Sequence, residues 1–139
     1  MAYEVTTANS SLEFDTRNGL ANACFAIDAN HFVNFWGGGA DSFLTAQVFT
    51  VNTSTWAVTT AGSSLADDTI KGYENSCAQV DTNHFISVTY DMAAFKWWAR
   101  VIAVDTSTWA VTTAGASKNF DGGGDSQYGD CAKIDANHF

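Results

Sequence analysis

The chain has 139 residues, a formal net charge of -9 and a sequence isoelectric point near 4.3. Hydrophobic residues make up 46% of it, enough for one packed domain, whereas charged residues make up only 15%, below the usual quarter. The acidic field repels phosphate backbones, which argues against a nucleic-acid partner, and no apolar run approaches the roughly 18 residues that would predict membrane insertion.

The first predicted element, at residues 3–8, is part of a sequence repeat with a period of 53 or 54 residues. It matches the end of a Thr-rich block that returns in full at 53–62 and 106–115. A second block runs from a Cys through a short apolar segment to Asp and then Asn-His-Phe, and it occupies residues 24–32, 77–85 and 131–139. A fixed period of this size indicates a stacked or radial repeat architecture.

Each repeat unit reads as four short strands. In the second copy the predicted strands are residues 77–81, 85–90, 100–104 and 109–113. A variable loop at 91–98 joins the middle pair, and a linker of roughly 17 residues leads to the next Cys strand. Branched and aromatic residues dominate these runs and turn residues separate them, with no sustained helical period. The sequence therefore predicts an all-β protein with four-stranded antiparallel units.

Four antiparallel strands in about 40 to 50 residues are typical of one β-propeller blade. The order of strand, Gly-Gly, variable loop, apolar strand, turn and Trp in residues 32–38, 46–51 and 52–56 resembles the kelch family. The chain also resembles the repetitive propeller-like repeats of marine bacterial and phage surface proteins, which carry an Asp-x-x-His-Phe turn and a Thr-rich outer strand. Both resemblances imply a β-propeller-like fold, and neither implies a catalytic motif.

The repeat count of the chain is incomplete. We divide the single repeat domain, residues 1–139, into a partial blade at 1–32, units at about 24–76 and 77–130, and a terminal inner strand at 131–139. These add up to about 2.6 repeats, whereas closed propellers need about four blades or more. We therefore expect a homo-oligomer, with a dimer as one way to complete a ring, because an open repeat end must bury its apolar face. The alternative is a fragment of a longer array.

The repeated Cys and His residues do not predict a metal site. Each Cys precedes its His by seven residues, as in Cys77 and His84, whereas zinc sites use closely spaced ligand pairs. We expect the His to bond the Asp three positions before it, the Cys to act as a small buried hydrophobe, and Trp56 and Trp109 to lie in the core. The aspartates at 121–130 lack the order of a calcium loop. We therefore predict no catalytic residue, no metal and no cofactor.

The variable loops are the candidate binding site, because the repeats differ there while their strands persist. Loops 37–45 and 91–98 and their edges bring aromatic rings together with carboxylates, as a sugar requires: an apolar platform and hydrogen-bond acceptors. The predicted ligand-binding residues are Trp36, Asp41, Phe43, Asp91, Phe95, Trp97 and Trp98.

Repetition, acidity and variable loops together predict a non-catalytic repeat module for ligand binding or adhesion. A glycan or another surface ligand is the expected partner, besides further copies of the chain, and an extracellular or surface location is favoured. The alternatives are a fragment of a propeller glycoside hydrolase, which would need two carboxylates in one pocket, and a purely structural spacer repeat.

Overall fold

A computed structural model describes residues 11–13, 19–38, 43–91, 94–120 and 130–139. The described residues form strands and turns and contain no helix, so none of them forms a helix long and apolar enough to cross a membrane. The seven strands are β1 Gly19–Ala26, β2 His31–Gly38, β3 Phe43–Val51, β4 Val58–Gln79, β5 His84–Asp91, β6 Lys96–Val104 and β7 Val111–Asn119.

The strands follow one another as an antiparallel meander in chain order. Strands β1 to β3 and the first part of β4 form the first sheet, and the rest of β4 with β5 to β7 forms the second sheet. The protein is therefore all-β, with two four-stranded antiparallel sheets, as predicted. Within the described residues the sheets do not close into a ring.

Strand β4 corrects the predicted strand boundaries. It runs for 22 residues, so the segment expected as a linker before Cys77 is itself strand. Its pairing with β3 ends at Lys71, and its pairing with β5 begins at Gly72. The register shifts on both sides, and such bulges bend and twist a strand enough to pass from one sheet to the next.

The core lies between the two sheets. Its buried apolar residues come from both: Ile27, Val33, Phe35, Leu44, Ala46 and Val48 from the first repeat, and Cys77, Phe85, Ile102, Val104 and Val111 from the second. Phe25, Phe35 and Phe85 form an aromatic cluster across the interface, with ring centroids 5.6 to 6.3 Å apart. Burial largely alternates with period two along β5 and β6, whereas residues 33–37 of β2 and 44–49 of β3 are buried on both faces.

The three Asp-x-x-His turns have the same geometry. The His Nδ1 lies 2.9 Å from a carboxylate oxygen in the Asp28–His31 and Asp81–His84 turns, and 2.7 Å from it in the Asp135–His138 turn. The same carboxylate accepts backbone N–H bonds within its turn. The prediction that each His bonds the Asp three positions before it is confirmed.

The prediction that the repeated Trp and Cys residues are buried is wrong for Trp56, Cys24 and Cys131. Trp109 packs against the core, whereas the equivalent Trp56 is 54% exposed. Cys77 is buried, but Cys24 is exposed and Cys131 is half-buried. The reason is the same for both residue types: equivalent positions have a neighbouring sheet in one repeat and no such neighbour among the described residues in another.

Candidate functional site: a polar pocket between the sheets

The interface between the sheets changes from apolar to polar along the inward face of the second sheet. On β5, buried Phe85 is followed at alternate positions by Ser87, Thr89 and Asp91, all of them buried. On β6, the neighbouring inward position is Arg100, which pairs with Ser87 in the strand register. Because alternate residues share one face, the sequence of these two strands places a polar strip beside the apolar core.

Arg100 forms an ion pair with Asp67 of β4 across the interface, and both side chains are more than nine-tenths buried. Thr69 joins them, because its hydroxyl donates to Asp67 Oδ1 at 2.6 Å and accepts from Arg100 Nη2 at 3.2 Å. Burial lowers the pKa of the Arg100 guanidinium from its ordinary value. Removing one partner would leave the other as an uncompensated buried charge, so the two charges depend on each other.

A pocket of about 430 Å³ opens above this ion pair. Its polar lining comes from β4, β6 and β7 and includes Asp67, Thr69, Arg100, Thr113 and Ser117. Leu65, Ala66, Gly115 and Ala116 complete the lining. The volume lies within the usual range for small-molecule sites, and the lining offers fixed hydrogen-bond donors and acceptors on a rigid pair of sheets.

Two of the predicted binding residues lie on the polar face between the sheets. Asp91 is buried on β5, and Trp98 lies on β6 opposite Thr89. The indole Nε1–H of Trp98 is buried and has no hydrogen-bond partner among the described residues. Asp91 accepts a bond from the Ala94 N–H at 3.1 Å, so its carboxylate also shapes the turn between β5 and β6.

The aromatic residues predicted to form one binding platform differ in their exposure. Trp36 and Trp97 are each only 5% exposed, and Trp97 packs beside Tyr90 with ring centroids 5.3 Å apart. Phe95, at the turn between β5 and β6, is 55% exposed. Phe43 begins β3 and pairs with Lys71, while Asp41 lies outside the described residues.

The described part of the pocket offers hydrogen-bonding groups: a carboxylate, a guanidinium and hydroxyls. No group of three His, Cys, Asp or Glu side chains comes together there in a way that could hold a metal ion. The pocket residues Asp67 and Arg100 are not among the predicted site residues, because they are 33 positions apart in different repeats. One signal existed: Arg100 shares the period-two phase of Ile102 and Val104, which makes it a charge on a buried strand face.

Comparisons with protein-family models, with curated proteins and with solved structures find no match for this chain. The resemblance to kelch and marine surface repeats therefore stays a prediction.

Proposed function

We propose that the protein is a non-catalytic repeat module that binds a small polyhydroxyl ligand, such as one sugar unit of a surface glycan. The pocket between the sheets is the binding site, and each sheet acts as one blade of a propeller. The observation that carries the proposal is the 430 Å³ pocket above the buried pair of Asp67 and Arg100.

The lining of the pocket suits neighbouring hydroxyl groups. A guanidinium donates and a carboxylate accepts, and charge-assisted hydrogen bonds of this kind are about twice as strong as neutral ones. Thr69 already links Asp67 to Arg100, so the ion pair is held in one geometry before a ligand arrives. This preorganisation reduces the entropic cost of binding. Exposed Phe95 remains the candidate for a second contact, with an apolar face for a sugar ring.

The pocket favours binding over glycoside hydrolysis. Among the described residues its lining contains one carboxylate, Asp67, and that carboxylate is engaged by Arg100. Hydrolysis of a glycosidic bond ordinarily requires two carboxyl groups on opposite sides of the bond, one of them free to give a proton. The pocket therefore supports a binding module, although a structural spacer would share the same sheets and leave the pocket unused.

A glycan screen followed by calorimetric titration of the best monosaccharide tests the proposal. Ala116→Trp places a large side chain in the pocket lining on β7 and leaves Asp67 and Arg100 in the sequence, and we expect it to weaken binding at least about tenfold. Thr112→Trp on the same strand is the matched control, because Thr112 is exposed and outside the lining, and it should bind as the unchanged protein does.

Two results would contradict the proposal. Release of free sugar from a bound oligosaccharide would indicate an enzyme. Equal binding by the Ala116→Trp and Thr112→Trp variants would place the ligand elsewhere, and Phe95→Ala would then test the loop between β5 and β6. The absence of any glycan ligand would favour a structural spacer.

A further inference from the structure

The pocket between the sheets contains two opposite charges that are already paired with each other. Asp67 comes from β4 and Arg100 from β6, and their side chains are only 5% and 9% exposed. The Thr69 hydroxyl donates to the Asp67 carboxylate and accepts from the Arg100 guanidinium, which ties the two charges together. Because opposite charges in contact largely cancel, the pair presents little net charge to a molecule in the pocket.

The rest of the described lining is uncharged. Its polar groups are the hydroxyls of Thr69, Thr113 and Ser117, and its remaining residues are Leu65, Ala66, Gly115 and Ala116. A hydroxyl can both donate and accept a hydrogen bond, as the hydroxyls of a sugar also do. The small apolar residues offer a surface to the C–H groups of a sugar ring. The described lining therefore matches an uncharged sugar.

The lysine next to the pocket on β7 faces away from it. Lys118 follows Ser117 and pairs with Ala99 in the strand register. Ala99 and Arg100 are consecutive on β6, so their side chains lie on opposite faces of the sheet, and cross-strand partners share a face. Lys118 therefore lies on the opposite face from Arg100. It adds no positive charge to the pocket that could balance an acidic ligand.

An acidic sugar would meet negative charge at short and at long range. Its carboxylate would lie beside Asp67, while Arg100 is already engaged. A full ion pair between the ligand and Arg100 would require displacement of Asp67, which would leave Asp67 as a buried charge without a partner. The whole chain also carries a formal net charge of -9, and its field repels anions as they approach. A neutral sugar avoids both penalties, since it hydrogen-bonds to the pair without separating it.

We propose that the pocket selects uncharged sugars and rejects acidic ones, such as uronates and sulfated sugars. This inference rests on the proposed function, because it names the class of sugar that the same pocket takes. Asp67 sets the selection. Without its carboxylate, Arg100 would be an unpaired cation in a pocket lined by hydroxyls, which is a site for an anion.

Inorganic sulfate tests the charge of the pocket without any sugar. The NMR signal of the Arg100 Nε–H is followed during a sulfate titration at constant ionic strength, and we expect the unchanged chain to bind more weakly than about 50 mM. Ser117→Lys adds a positive charge to the lining from β7 and should bind sulfate at least about tenfold more tightly. Thr112→Lys adds the same charge to the same strand outside the lining, and it should behave as the unchanged chain does. Tight sulfate binding at Arg100 of the unchanged chain would overturn the proposal.

Asp67→Asn tests whether Asp67 sets the selection. The variant keeps the shape of the side chain and frees Arg100, so it should bind sulfate at least about tenfold more tightly than the unchanged chain. Asp81→Asn removes the same charge from a turn outside the lining and should leave sulfate binding unchanged. Circular dichroism and urea unfolding show whether Asp67→Asn keeps its fold, and Ser117→Lys keeps the test decisive if it does not. A folded Asp67→Asn variant that gains no sulfate binding would contradict the role of Asp67.

Matched pairs of sugars test the selection itself. Methyl glucoside and methyl glucuronide differ only in a hydroxymethyl group or a carboxylate on the ring, and methyl galactoside and methyl galacturonide form a second such pair. Calorimetric titration should show that the neutral member of a pair binds at least about tenfold more tightly, and that Asp67→Asn narrows the difference. Equal or tighter binding of the acidic member would overturn the proposal. If no neutral sugar of the glycan screen binds, the proposed function is contradicted, and the sulfate titration decides the charge preference of the pocket by itself.

Discussion

The two repeats have nearly the same key residues and different surroundings. Phe85 is fully buried and its equivalent Phe32 is half-buried; Trp109 packs on the core and its equivalent Trp56 is exposed. Gly62 lies under a carbonyl, and Gly115 has open space beside it. The comparison teaches that, among the described residues, equivalent positions of the two repeats differ in whether they pack against the neighbouring sheet.

This pairing makes each repeated residue its own internal control. The same substitution can be made at a joined position and at an open position, with closely similar local sequence. Any difference in the free energy of unfolding then measures the contribution of the neighbouring sheet rather than the intrinsic preference of the residue. The predictions that follow use this design and run from the largest expected difference to the smallest.

The largest difference should come from the paired phenylalanines. Phe85→Ala leaves a cavity in the aromatic cluster and should lower the free energy of unfolding by about 3–5 kcal/mol. Phe32→Ala removes a half-buried ring stacked on Phe49 and should cost about 1–2 kcal/mol. Urea unfolding followed by Trp fluorescence measures both, and Phe85→Leu serves if the alanine variant does not fold. Equal losses would mean that the interface between the sheets adds nothing at this position.

The paired glycines should differ next. Gly62→Ala and Gly115→Ala both put a side chain on a left-handed backbone, at a cost of about 1–2 kcal/mol. Only the Cβ of Gly62→Ala meets the Trp109 carbonyl, which adds about 1–3 kcal/mol of overpacking. Thermal and urea unfolding of dilute protein should therefore rank Gly62→Ala below Gly115→Ala. The reverse order would contradict the packing of the Trp109 turn on the first sheet.

The paired tryptophans should give a smaller difference. Trp109→Asn removes the stack on His31 and should cost about 1–2 kcal/mol more than Trp56→Asn in dilute solution. Asn tolerates the left-handed backbone in both turns, so the turns themselves are kept. Urea unfolding at low protein concentration provides the comparison. A larger loss for Trp56→Asn under these conditions would place a contact on Trp56 that the described residues lack.

Lowering the pH should change the free energy of unfolding least among these comparisons. Backbone N–H bonds, chiefly from Asn30 and Asn83, hold the pKa of Asp28 and Asp81 below the ordinary value, with help from the His of each turn. A lowered pKa in the folded state means that the stabilisation is present above about pH 4 and is lost as the pH falls through the lowered value. Asp28→Asn and Asp81→Asn should each flatten the fall in stability between neutral pH and about pH 3.

The Asp81–His84 turn is the control for the acid experiment. Asp28→Asn also frees His31, which carries the Trp109 stack, so it should cost slightly more at neutral pH than Asp81→Asn. Unfolding by urea across the pH range measures both slopes. If the free energy of unfolding falls as steeply with acid in both variants as in the unchanged chain, these turns do not cause the fall.

Local patterns were enough to predict most of the fold. The repeat period, the alternation of apolar residues and the turn residues predicted the strands around His84 and Trp109 and the bonding of each His to its Asp. They missed the strand character of residues 63–76, because Ser, Thr and Ala there have no strong alternation and β4 is stabilised by the strands on either side. Tertiary pairing decides such segments rather than propensity.

The candidate site was less predictable because it depends on contacts between repeats. Asp67 and Arg100 meet only when the sheets pack. Trp97 packs beside Tyr90, its cross-strand neighbour on β5, and is 5% exposed. Aromatic residues near a variable loop predicted exposure, and only Phe95 among those described in this loop is strongly exposed. The roles of the predicted ligand-binding residues stay predictions until a ligand is found.

The continuous strand β4 also determines how the molecule would respond to tension. Its 22 residues belong to both sheets, so a pulling force applied to one sheet passes to the other through covalent backbone rather than through a slack linker. Seven hydrogen-bonded strands with such a shared member would share load as one mechanical unit. Under tension the two sheets would therefore resist shear as a single element rather than extend one after the other.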